Sequence, residues 1–215
     1  MSSALLADLP PPQRLALAYA PVRSRPATLA LLALDARLAA ILRGRREPIA
    51  TQLRLAWWRD TLARPAAEWP HGEPALDALR GWRDPACLAG LPGAWEALLA
   101  DDLAPAAIAE FVDGRGQAFA CLAVELGANA PGDAAAAARI WALADLAANI
   151  SEGPERQLVV DYGRALPPPP HLPGSLRALA VLAALGWAAL EAGGGPLLAG
   201  PRRMLLALRI GLAGR

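Results

Sequence analysis

Few side chains in this chain have the type and spacing needed for bond-making chemistry. Its two histidines, His71 and His171, stand in Pro- and Gly-rich stretches with no acid at a spacing that would make a catalytic pair, so both are expected to be exposed. The two cysteines, Cys87 and Cys121, lie far apart in sequence and lack metal-type spacing. So small a number fits a reduced compartment, and a single disulfide stays open. There is no Gly-rich phosphate loop, no zinc spacing and no Ser/His/Asp set with a nucleophile elbow. The densest polar grouping is Arg43-Gly44-Arg45-Arg46-Glu47. Guanidinium groups pair well with phosphate oxygens, which would make it an anion-binding corner. A solvated helix end, where cations complement the dipole, is the plainer account and the preferred one. A second grouping, Asp113-Gly114-Arg115, is either a holder of a polar headgroup or an ordinary surface acid followed by a base.

The elements that position these groups read as helices. In Pro26 to Leu62, Leu31, Leu34, Leu38 and Ile41 recur at spacings of three and four, so they share one helical face. Ser24 is placed to cap that helix, Pro26 suits its first turn, and Gly44 fits a left-handed position past its end. Pro48 opens a second helix. Ile49, Leu53 and Trp57 share one face, and Leu55, Trp58 and Leu62 widen it, so burial on two sides is predicted. Residues 1–12 read as a flexible leader ending in three prolines, and residues 13–215 as one helical domain. Gln13 to Ala20 is a short helix. From Arg64 to Pro92 repeated Pro and Gly interrupt every period; a short helix at Ala75 to Trp82 is expected there, with Trp69 and Trp82 as anchors. So long a connection suits a lid or a partner surface. Further helices are predicted over Trp95 to Leu103, from Pro105 to Leu126, Ala134 to Ile150, Ser175 to Ala192 and Pro201 to Leu212, with Pro167 to Pro170 extended.

Composition agrees with an all-α chain. The 215 residues are long enough to bury about 70% of the extended surface in one core. Hydrophobic residues make up 55%, mostly Ala and Leu, with few aromatic residues, which favours helix over strand. A formal charge of +1 gives no pull towards nucleic acid. All 21 basic residues are Arg; GC-rich coding accounts for the missing Lys more readily than phosphate binding does. The N-terminus has no basic region ahead of an apolar stretch, so no signal peptide is read. The longest strongly apolar run, Leu179 to Leu190, falls short of the ~20 residues a bilayer crossing needs. A cytoplasmic protein, soluble or peripherally attached to a membrane, is expected.

Three segments resemble the squalene/phytoene synthase family, all-α enzymes of the isoprenoid-synthase fold that join two isoprenoid diphosphates. Leu31-Leu32-Ala33-Leu34 is similar to the lead-in to that family's first Asp-rich cluster, and Leu55-Ala56-Trp57-Trp58-Arg59 to the helix that follows. Ile108 to Arg115 looks like its Ile-x-x-Phe-Ile-Asp-Gly segment, which lines the central cavity. Ala144 to Ile150 sits where the family has Gln-Leu-Thr-Asn-Ile. The resemblance spans most of residues 14–190 and rests on framework positions. The acids are gone: the first cluster falls on Ala39 to Arg43, and the second on Gly153 and Gln157, where Pro154 would end the helix.

The resemblance implies a bundle of helices around a ligand cavity that takes in Asp35, Ala39, Arg43, Trp58, Asp113 and Asn149. In the family, facing acids hold Mg²⁺ on the diphosphates, because that leaving group departs only when its charge is neutralised. A loss of about 4 kcal/mol per site slows such a reaction roughly a thousandfold. No metal ligand set and no cofactor are therefore expected. The favoured function is non-catalytic: binding an isoprenoid or lipid, or acting as a scaffold for a protein partner, as in the similar, degenerate complex I assembly factors. An active Mg-dependent prenyl transferase would need relocated acids, with Asp35, Asp113 and Asp145 the best candidates ahead of Asp60, Glu152 and Glu155. A plain helical interaction module is the third reading.

Overall fold

Proline sets the phase of this chain. It has a fixed φ and no N–H to leave unpaired, so it suits the first turn of a helix. In a computed structural model that describes residues 2–44, 47–100, 103–151 and 153–214, Pro stands in the first turn of nine of the eleven α-helices among the described residues. These are α1 (Ser2–Asp8), α2 (Pro11–Ala18), α3 (Arg25–Arg43), α4 (Pro48–Leu62), α5 (Pro74–Leu79), α6 (Leu91–Glu96), α7 (Pro105–Glu125), α8 (Pro131–Asn149), α9 (Gly153–Arg164), α10 (Arg177–Glu191) and α11 (Gly200–Ala213). No strand occurs among the described residues, so the protein is all-α.

Helix α8 forms the spine. It packs along α7 on one side and α10 on another, and α9 folds back onto it. Ala134, Ala137, Ala138, Ala142, Ala144 and Ala147 are all buried, and their small size lets neighbouring backbones come close. The closest approach is made by α10: a Cβ on Gly186 would stand 3.1 Å from the Trp141 Cα. On the other flank α3 packs against α1, α5, α6 and α7, with Leu31, Leu32, Leu34 and Leu38 fully buried. One continuous apolar core runs from Leu5 to Ala207.

Several expectations are corrected. The expected loose leader, residues 1–12, is folded over its described part, residues 2–12: α1 packs on α3, Leu5 and Leu9 are buried, and α2 starts at Pro11. Helix α4 is buried on one side only. Leu55, Trp58 and Leu62 face inward, while Ile49, Leu53 and Trp57 are 74%, 66% and 43% exposed. The wide apolar arc was read correctly, but α4 lies at the edge of the bundle. Ser24 makes no side-chain cap; its hydroxyl donates instead to the Pro21 carbonyl. Gly44 has φ −81°, so α3 ends without a left-handed residue. The Pro-rich stretch after α4 holds a short helix where one was expected, α5, together with two 3₁₀ turns (Ala66–Glu68 and Pro85–Leu88) and the start of α6, and Trp69 and Trp82 are buried as its anchors beside Leu76, Leu79 and Leu88. His71 and His171 are exposed as expected. The stretch Gly174–Glu191 is long and apolar enough to cross a membrane by length and composition, but 56% of it is buried among its own neighbours, as in a core helix. It contains α10, which lies against α2, α8, α9 and α11.

Candidate functional site

On α7 the inward row Ile108, Phe111, Val112, Arg115, Phe119 and Leu122 is apolar except at one position. That position, Arg115, is wholly buried, and a buried guanidinium must find carboxylates. It finds two. Its Nη2 donates to Asp35 Oδ2 on α3 at 2.6 Å, and its Nη1 donates to Asp145 Oδ2 on α8 at 3.1 Å. Trp95 Nε1 from α6 donates to the second Asp35 oxygen at 3.0 Å. The guanidinium carbon lies 4.0 Å from the centroid of the Trp141 ring, with Trp95 and Phe111 at 5.2 and 5.3 Å. One cation therefore ties three helices together inside an aromatic enclosure. Its Nε has no hydrogen-bond partner.

Burial pushes the Asp35 carboxyl above its ordinary pKa, although the Arg115 charge and hydrogen bond pull the other way. For Arg115, burial favours the neutral form, but the two aspartates outweigh it and hold the guanidinium charged. Two carboxylates on one cation leave a net negative charge, carried towards solvent by Asp145, whose side chain is 29% exposed.

Above this cluster opens a cleft of about 480 Å³, walled by Ala39 and Leu42 of α3, Leu98 and Leu103, Phe111 of α7, and Leu146 and Ile150 at the end of α8. Trp95 and Asp145 connect it to the buried ion network. Arg43, Asn149 and Glu155 are its other polar lining. The cleft is apolar along its walls and mixed in charge elsewhere, an arrangement suited to a molecule with an apolar body and a polar end.

The sequence-derived cavity set divides. Ala39, Arg43 and Asn149 line the cleft; Asp35 lies buried beneath it, bonded to Arg115 and Trp95. Trp58 lines a separate notch between α3 and α4, with Arg37, Ala40, Ile41 and Arg54. Asp113 points outward, 65% exposed, and pairs with Arg139 of α8 at 2.9 Å. The Asp113-Gly114-Arg115 grouping thus has its two charges on opposite sides of α7. Asp60 is exposed beside Arg59, and Glu155 reaches the cleft. Glu152, Arg45 and Arg46 lie outside the described residues.

Helix α8 ends at Asn149, Pro154 stands in the first turn of α9, and Gly153 and Gln157 are exposed. Arg156 closes this junction by donating twice to the Ile150 carbonyl, at 3.2 and 2.6 Å. Among the described residues, no group of three or more His, Cys, Asp or Glu side chains is arranged to hold a metal ion.

Sequence reasoning missed the aromatic floor, Trp95, Phe111 and Trp141, and the central place of Arg115. The signal was present: an arginine at a core position of an apolar helix face calls for buried acids elsewhere. Compared with family models, with curated proteins and with solved structures, the chain matches none.

Proposed function

We propose that this protein is a non-catalytic helical binder of the squalene/phytoene-synthase type, holding one isoprenoid or similar amphipathic lipid in the cleft between α3, α7 and α8. One observation carries the reading: two of the three best candidate acids, Asp35 and Asp145, are both committed to Arg115, which leaves Glu155, among the described residues, as the one acid on the cleft wall without that tie. A carboxylate already neutralised by a guanidinium is a poor ligand for Mg²⁺, and the cation repels a second one. Asp113, the third candidate, is turned away. The cleft volume of about 480 Å³ lies within the range of a single small-molecule site, whereas a head-to-head condensation must hold two prenyl chains. Arg43 supplies a positive group for a polar or anionic end, and the leucines and Phe111 take the apolar body.

The exposed Ile49, Leu53 and Trp57 face of α4 supports a second reading, a scaffold that docks a protein partner, and both roles can coexist in one molecule.

Calorimetric titration with farnesol and with farnesyl diphosphate tests the first reading. Micromolar binding is expected for the native chain, with at least a ~10-fold loss, about 1.4 kcal/mol, in Ala39→Trp, which fills the cleft wall. Circular dichroism of the variant separates a blocked cleft from a misfolded one. Pyrophosphate released from farnesyl diphosphate in a Mg²⁺-dependent manner would overturn the non-catalytic reading.

A further inference from the structure

Cys87 and Cys121 are separated by 33 residues in sequence, yet the fold brings them together. Cys87 lies in the 3₁₀ turn Pro85–Leu88, which packs against α4 and α7, and Cys121 lies on α7. The Cys121 thiol donates to the Cys87 carbonyl oxygen at 3.4 Å, which sets the Cys121 sulfur against the backbone of the residue that carries the second thiol. Both are free. Both line a second cleft, of about 420 Å³, together with Trp82, Arg83, Asp84 and Glu125. Cys121 is largely buried and Cys87 half-buried, so a small solute reaches the pair from this cleft more readily than a protein does.

We propose that Cys87 and Cys121 are a modification site: a dithiol that a peroxide oxidises to a reversible intramolecular disulfide, locking the Pro85–Leu88 turn to α7. The chemistry balances with no other reactant. The Cys121 thiolate attacks one peroxide oxygen, the O–O bond breaks, and hydroxide leaves and takes up the thiol proton as water, giving a sulfenic acid. The Cys87 sulfur then attacks the Cys121 sulfur. The S–S bond forms, the S–O bond breaks, and the hydroxyl departs with the Cys87 proton as a second water. Each sulfur loses one electron, and the peroxide accepts two. A low-molecular-weight dithiol reverses the reaction by exchange.

The assignment of Cys121 as attacking group follows from its surroundings. Its proximity to Cys87 holds Cys121 below the ordinary thiol range, and the same proximity pushes Cys87 up. The more acidic sulfur attacks first, and its neighbour resolves the intermediate.

The test treats the full chain with hydrogen peroxide and maps its peptides without reduction. Free thiols are expected to fall from two to none, with one peptide pair linked through Cys87 and Cys121 and full reversal by dithiothreitol. Closing a loop of this size is expected to raise the melting temperature by roughly 5–10 °C. In Cys87→Ser that rise disappears, and Cys121 goes on to the sulfinic acid or to a disulfide between two molecules. Two thiols that stay titratable in the native chain, or that oxidise separately without a linked peptide, overturn the proposal. Because this result comes from the unmutated chain, a variant that fails to fold does not blur it. The lipid cleft is not involved, so failure here leaves the binding reading intact.

Discussion

Replacing Arg115 with Leu destabilises the protein by about 3–5 kcal/mol, read as a lower midpoint in urea unfolding. The cost lies in what is left behind. Asp35 is 1% exposed and would keep only the Trp95 indole as donor, while Asp145 would lose its partner at the cleft. The effect has a predicted pH dependence. Burial already raises the Asp35 pKa, so between its ordinary value and its folded value the native state holds a proton that the unfolded chain has released. Stability from this group is present at low pH and is lost as pH rises through that window. Removing Arg115 takes away the opposing attraction and extends the window upward. The gap between Arg115→Leu and the native protein is therefore expected to be widest near neutrality and to narrow on acidification. Asp35→Asn combined with Arg115→Leu should recover a large part of the loss, because a neutral pair leaves no buried charge unbalanced. A penalty that ignores pH and is not relieved by the second substitution would mean that packing alone accounts for the role of Arg115.

Trp141→Ala is the second large effect, a loss of about 3–5 kcal/mol. Trp141 is 1% exposed and meets Phe119 edge to face, with ring centroids 5.5 Å apart. Its other face covers the guanidinium of Arg115 at 4.0 Å. Truncation opens a cavity and removes one wall of the ion enclosure at once. Trp141→Phe keeps most of the filled volume but offers a weaker face to the cation, and it should cost roughly 1–2 kcal/mol. If both variants unfold at the native midpoint, the aromatic enclosure is incidental.

How far these features were legible depended on the range over which each is determined. The helices were local matters. Proline at the first turn and apolar residues at spacings of three and four placed α3 and α7 within a few residues, and the apolar run around Leu179 to Leu190 placed α10. The identity of the buried face on α4 was not local. Ile49, Leu53 and Trp57 are as apolar as Leu55, Trp58 and Leu62, and only the presence of α3 and α6 on one side decides between them. The N-terminal segment was misread because three prolines suggest an extended tail, yet Leu5 and Leu9 have α3 to pack against. Among the site residues, Ala39, Arg43 and Asn149 were named as cavity residues through the resemblance alone, and they line the cleft. Asp113 does not, because the neighbouring Gly114 is where α6 crosses: a Cβ there would collide with that of Ala94, which fixes the rotation of α7 and turns Asp113 outward. The ion cluster joins positions 35, 115 and 145, separations that no short-range pattern encodes.

The alanine-lined spine also governs how the molecule breathes. With α7, α9 and α10 laid along α8, its central amides reach water only when the whole bundle opens. In deuterium exchange they should be the last protons to be replaced, at the rate set by global unfolding. Helix α11 leaves Leu205, Leu208 and Leu212 in solvent and should exchange much sooner, by local fraying. A uniform exchange profile across both helices would contradict that hierarchy.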